Sequence, residues 1–267
     1  MSRRPSLPVV RVLACALSAS ALLTVAACSD DSDGGSSAAS DIAASPLAVE
    51  SATPARLTEA GARAALITPA DIEDDWTQVK DAATWRDSLL VGRVDVADLL
   101  TAKTNAADCQ KLLDSLYGDE LLGKPSGASA LTGFEEGESR LLYQVAAYQR
   151  AGLDASLAWL KELPVKCDQF TATDAKGGKR TVQVIDQPPP EAGDTRQGLR
   201  VTVKSATTTL TLDVAAVRVG SDAITVTAGG LDGGEEDSTE RAVQLGTQRL
   251  KDVLAGKTPT ANPGQFD

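Results

Sequence analysis

Four cysteines are the residues whose type and spacing point most directly to chemistry. Cys28 follows Val25-Ala26-Ala27, which has the form of a bacterial lipobox: a branched apolar residue, two small residues that a cleavage pocket requires, and a thiol able to take a diacylglycerol group as a thioether. The segment ahead of it fits. Ser2-Arg3-Arg4 and Arg11 make a basic start, and Val12 to Ala27 is an uncharged run of 16 residues, shorter than the roughly 20 needed to cross a hydrocarbon core. Residues 1–27 therefore read as a cleaved export signal, with Cys28 as the acylated first residue of the mature chain. The Arg pair suits twin-arginine export but Pro5-Ser6-Leu7 fits that pattern poorly, which leaves the route open. Cys15 leaves with the signal. Cys109 and Cys167 then remain in an oxidising compartment, and a disulfide between them is expected. Closing their 58-residue loop would contribute roughly 4 kcal/mol on chain-entropy grounds, less any native strain.

Other chemistry is bounded by what is missing. The chain has no His, which removes the imidazole base of Ser-His-Asp and Cys-His machinery, His-bearing zinc sites and the usual switch near neutral pH. Lys161 and Lys166 lack a Ser-x-x-Lys partner, and no Gly-x-Ser-x-Gly occurs. Cys109 and Cys167 are not a Cys-x-x-Cys redox pair. Asp31-Ser32-Asp33-Gly34 opens like a calcium loop, but Ile42 stands where the bidentate Glu is required. No catalytic residue, metal ligand or cofactor is predicted. Enzymes built on paired carboxylates need no such signature and stay open. The precursor carries −11; the signal removes three Arg and no acid, so the mature chain carries −14. That charge speaks against nucleic acid as a partner.

The elements that must hold these residues follow from composition and period. Residues 28–54 are rich in Ser, Ala, Gly and Asp with no aromatic, the composition of a flexible tether. Leu57 to Ile67 is Ala-rich and helical, and Thr68-Pro69-Ala70-Asp71 opens a capped turn leading to Trp76. A helix from Asn105 carries Cys109, then Leu112, Leu113, Leu116 and Tyr117, and stops at Gly118. Ser129 to Phe134 and Leu141 to Tyr148 read as strands joined across Glu135-Glu136-Gly137-Glu138. Asp154 to Leu163 reads as a third helix, ended by Pro164 just before Cys167.

Past residue 170 the period changes to that of strands. Val182 and Val184 alternate, Asp186-Gln187-Pro188-Pro189-Pro190 breaks the run, and Leu199-Val201-Val203, Leu210-Leu212-Val214 and Ile224-Val226 alternate again. These predict antiparallel strands with one wet face, the last hairpin turning at Gly220-Ser221-Asp222. A closing helix from Asp237 or Ser238 has Val243, Gly246, Leu250, Val253 and Leu254 as its stripe. The domain spans 55–256 and leaves a loose tail from Lys257. The expected fold class is α+β, a mostly antiparallel sheet with helices packed on it and one disulfide.

The order Leu66-Ile67-Thr68-Pro69-Ala70-Asp71 with Trp76, a strand ending in Tyr148, a helix with Ala155, Leu157, Trp159 and Leu160, then Cys167, resembles the extracellular sensor-domain family typified by the mycobacterial PknH-type kinases, which also occurs as stand-alone actinobacterial lipoproteins. Val217-Arg218-Val219-Gly220-Ser221-Asp222-Ala223-Ile224-Thr225-Val226, before an acidic loop and a terminal helix, is similar to that family's final hairpin and helix. The resemblance spans about residues 57 to 255. It implies a domain outside the membrane, with helices on an antiparallel sheet around a ligand-receiving cleft. The kinase sensor domains carry a second cysteine pair, which this chain lacks. There is no kinase domain here either, so any signal must pass through a partner.

Two features could bind something, each with a plainer alternative. Gly229-Gly230-Leu231-Asp232-Gly233-Gly234-Glu235-Glu236-Asp237 could take a cation or basic partner, or simply cap the last helix. Trp76 and Trp85 could line a cleft, or fill the core. The expected function is a lipid-anchored, extracytoplasmic, sensor-like protein binding an unknown small molecule or envelope protein. It should show an apolar cleft with a few polar groups. A scaffold protein of envelope assembly would show a flat apolar patch instead. A carboxylate hydrolase needs two acids about 5 to 10 Å apart in a pocket, one with a raised pKa.

Overall fold

The structure is a computed structural model that describes residues 56–72, 75–86, 90–91, 94–95, 97–118, 120–231 and 233–260. The expectations for the signal, Cys28, the tether, Asp31–Gly34 and the end of the tail fall outside the described residues. The helices are α1 (Glu59–Ala64), α2 (Ala97–Leu100), α3 (Ala107–Gly118), α4 (Arg150–Lys166) and α5 (Glu236–Leu254). The strands are β1 (Thr77–Gln78), β2 (Leu90–Val91), β3 (Val94–Asp95), β4 (Ser129–Glu136), β5 (Ser139–Ala147), β6 (Gln169–Thr173), β7 (Lys179–Asp186), β8 (Thr195–Lys204), β9 (Thr209–Val219) and β10 (Asp222–Gly230). No described helix is long and apolar enough to cross a membrane.

Eight strands form one sheet in the order β1-β4-β5-β10-β9-β8-β7-β6, antiparallel throughout, while β2 and β3 pair by themselves. The antiparallel α+β expectation holds. The wet face does not extend across the sheet. Successive strand residues point to opposite faces, and on β9 both sets are buried. Leu210, Leu212, Val214 and Ala216 pack with α3 and α4, whereas Ala215 and Val217 pack with α1 and α5. Helices thus cover both sides of the middle strands. Strands β7 and β8 keep the predicted alternation, with Val182, Val184, Leu199, Val201 and Val203 inward and Thr181, Gln183 and Ile185 exposed, and β10 keeps it too, with Ile224 and Val226 buried and Thr225 and Thr227 half-buried.

The Thr-Pro-Ala-Asp turn is a structural clasp. Asp71 accepts from Thr68 N at 2.8 Å and Thr68 Oγ1 at 2.9 Å, and its buried carboxylate meets Arg249 Nη1 of α5 at 3.3 Å. Arg241 Nη1 donates to Ile72 O at 2.8 Å, and Trp76 Nε1 donates to Ser238 Oγ at 3.2 Å. The first elements of the domain are therefore fastened to the last. A second network holds the opposite end. The guanidinium of buried Arg218 reaches Asp154 of α4, Asp194, Thr195 Oγ1 and Gly220 O, at 2.8 to 3.4 Å.

Several boundaries differ from expectation. Helix α4 starts at Arg150, four residues early, where Leu153 is buried and Arg150 pairs with Asp154 at 3.2 Å. It continues through Pro164, which has no N–H to give Leu160 O, and Cys167 N closes the helix on Leu163 O at 2.7 Å. Strand β8 begins at Thr195 rather than Leu199, since Arg196 and Gln197 already pair with Val217 and Ala216. The acidic turn narrows to Gly137-Glu138, Gly137 taking φ 54°.

Candidate functional site

Helix α3 buries Leu112, Leu113, Leu116 and Cys109 in the core it shares with α2 and α4. The expected disulfide is present: Cys109 and Cys167 are bonded, with a Cα–Cα distance of 5.6 Å, so the first turn of α3 is tied to the end of α4. Spacings of three and four residues put Ala107, Gln110, Lys111 and Asp114 on the side of α3 away from that core. With Thr104, Ser115, Glu120 and Gly123 they line an open groove of about 560 Å³, a volume in the range of small-molecule sites.

The groove wall is made by local bonds. Gln110 accepts from Thr104 N and donates to Asp114 Oδ1, both at 2.8 Å, and Lys103 Nζ reaches the same oxygen at 3.0 Å. Ser115 Oγ turns back onto Lys111 O at 2.6 Å, and Glu120 N bonds to Ser115 O at 3.1 Å. Gly123, at φ 83°, closes the turn beyond. Lys111 Nζ sits 3.9 Å from the centroid of the Trp159 ring, a cation–π contact that holds the side chain against α4. Behind the groove, Lys166 bridges Asp108 at 3.0 Å and Glu162 at 2.8 Å. The Lys166 ammonium holds the Asp108 carboxyl below its usual range, and Glu162 and Asp108 together push Lys166 up. Such a wall offers amide, hydroxyl, carboxylate and ammonium groups on a lining whose exposed surface is more apolar than polar.

Two further depressions occur. One of about 270 Å³ lies at the end of α4, lined by Lys161, Pro164, Val165, Asp186, Pro188, Arg196 and Gln197; Val165 in it is 88% exposed. The other, about 10 Å³, lies beneath Pro188 and Pro189 beside Asp213 and Glu236, room for about one water.

The acidic loop is largely spoken for. Arg200 grips Asp213 through Nε at 2.7 Å and Nη2 at 3.1 Å, and also holds Glu236 at 3.1 Å. The loop ends the way a helix cap does: Glu235 is the N-cap residue of α5, taking Thr239 N on its carbonyl at 2.9 Å, while its side chain accepts from Ser139 Oγ at 2.6 Å instead of bonding the helix end. Among the described residues no group of three or more His, Cys, Asp or Glu could hold a metal. Trp76 and Trp85 are buried. Trp85 lies against Gly133 and Ala82 under the Arg140 guanidinium, 4.6 Å from its ring. Neither Trp lines the α3 groove. Gln110, Lys111 and Asp114 were not singled out from the sequence. Their signal was a polar stripe opposite Leu112, Leu113 and Leu116, the pattern of any surface helix.

Fold and site together define an α+β domain with a two-sided antiparallel sheet, one disulfide and an open groove against one of the disulfide-linked helices. No protein-family model matches the chain, and no curated protein matches it. Among solved structures it is similar to the extracellular domain of PknH from Mycobacterium tuberculosis, at 14% identity and a TM-score of 0.42, over 77% of this chain and 99% of that one. It is also similar to an uncharacterized protein from Mycobacterium smegmatis, at 18% identity and a TM-score of 0.34, over 54% of this chain and 75% of that one.

Proposed function

We propose that this chain is a lipid-anchored, extracytoplasmic binding protein, sensor-like and non-enzymatic, that captures a small polar ligand in the groove beside α3. The observation that carries the reading is that groove, whose back is fixed by the Cys109–Cys167 bond. Pinning the helix in the free protein lowers the ordering cost of binding. The lipobox at Cys28 supports the compartment, and so does a disulfide, which persists where thiols are not kept reduced. Burial pushes the carboxyl of Asp222 up to about 6, and Asp222 is not among the residues lining the α3 groove.

A scaffold role is favoured by one observation, the 88% exposure of Val165 beside Pro164 and Pro188. Native mass spectrometry of protein gently extracted from its own envelope separates the two. A copurifying small molecule that Lys111→Glu and Asp114→Lys release fits the groove reading. A ligand retained by both variants sinks it, and a stoichiometric protein released by Val165→Asp replaces it with the scaffold.

A further inference from the structure

Strand β6 is the far edge of the sheet. In an antiparallel ladder alternate residues direct their backbone groups to opposite sides. Even positions turn inward here, since Asp168 O takes Val184 N at 3.0 Å. Odd positions turn outward: Thr173 exchanges both backbone bonds with Lys103, each at 2.8 Å. Gln169 and Thr171 share the parity of Thr173, and among the described residues no backbone group meets them on that side. The Lys103 bridge is isolated, so the chain leaves the edge after one residue. Gln169, Thr171 and Thr173 are exposed.

Edge strands are ordinarily guarded by a proline, a charge, a bulge or a covering element. Gln169-Phe170-Thr171-Ala172-Thr173 holds no proline and no charge, and it pairs with β7 one to one without a bulge. Its surroundings are basic in a chain of charge −11. Lys103 sits on the edge, and Lys176, Lys179 and Arg180 lie on the β6–β7 hairpin. Lys204 stands across from Thr181. The nearby acids are Asp114, paired with Lys103, Asp174, paired with Arg180, and Asp168.

We propose that this edge is a docking strand: an extended, acidic peptide segment of a partner protein pairs antiparallel with β6, taking the outward groups of Thr171 and Gln169 and continuing the line that Lys103 begins. Main-chain bonds supply the adhesion in such strand addition, and the net positive charge of this edge selects the sign of the partner and gives the contact its salt dependence. The α3 groove need not hold a ligand for this surface to work.

The test is fluorescence anisotropy of the full chain with a labelled octapeptide that alternates acidic and β-branched residues. Thr171→Pro removes one outward N–H while leaving the β7 ladder intact, a position where proline is tolerated. Binding should weaken at least tenfold in Thr171→Pro. It should weaken as much for a peptide N-methylated at alternate backbone positions, and several-fold in Lys179→Glu. Unchanged affinity for the N-methylated peptide overturns the proposal even if Thr171→Pro fails to fold, and so does the lack of saturable binding by the unaltered chain. A concentration-dependent dimer in sedimentation, dissolved by Thr171→Pro, also overturns it and gives the edge to a second copy.

Discussion

Tyr143 is fully buried, its hydroxyl donating to Ala65 O at 3.3 Å, and burial pushes its ionisation well above the ordinary phenol range. It fits only because α5 has a glycine above it. A Cβ on Gly246 would lie 2.6 Å from Tyr143 Cε2 and closer still to the hydroxyl oxygen. Gly→Ala in a helix ordinarily gains up to about 1 kcal/mol from propensity, but overpacking a core costs about 1–3 kcal/mol. Gly246→Ala should therefore lose stability, seen as a lower urea midpoint at unchanged slope. Asp222 gives a second prediction at this scale. Its carboxyl is raised from 3.8 to about 6 by burial, against the pull of Arg56. A proton held more tightly in the folded state adds stability that is complete below about pH 4 and is lost as pH rises through 6. Asp222→Asn stays neutral, so its urea midpoint should fall less than that of the unaltered chain between pH 4 and 6.5. Parallel curves would clear Asp222 of the effect. Gly246 was legible as a member of a helical stripe, but not its reason, because Tyr143 belongs to a strand far away in the chain.

Among elements, those with local causes could be read. Helix α3 with its Gly118 end and the β9–β10 turn at Gly220 depend on period and caps, and the disulfide on the removal of the other two thiols. What escaped depends on distant partners. The early start of β8 is set by its ladder with β9, and the second covered face by α5 returning to α1. The groove escaped for the same reason: Thr104, Asp114 and Glu120 become one wall only after α3 is pinned. Replacing both Cys109 and Cys167 with Ala tests that pinning. Stability should drop by up to roughly 4 kcal/mol, the chain-entropy ceiling for this loop, and hydrogen exchange should rise first in α3. A loss spread evenly over the domain would mean that the bond does not specifically hold α3.

For the whole molecule, the proposed anchor and the charge bear on each other. If residues 1–27 are removed as proposed, the remaining chain carries −14 and is repelled by anionic headgroups, so the proposed lipid at Cys28 would supply the attachment to a membrane surface. A Cys28→Ser variant should move from the membrane to the soluble fraction on cell fractionation, and retention at the membrane would refute the anchor. The clasp of Asp71 to Arg249 and Trp76 to Ser238 has a consequence in time as well as in space. Residues from the two ends of the domain build one half of the core, so a chain emerging N-terminus first cannot close that half until α5 has arrived. Long-range closure of this kind is slow. The half of the core under α3 and α4 holds no residue of α5 and has no such wait, so the half under α5 and α1 is the last to lock.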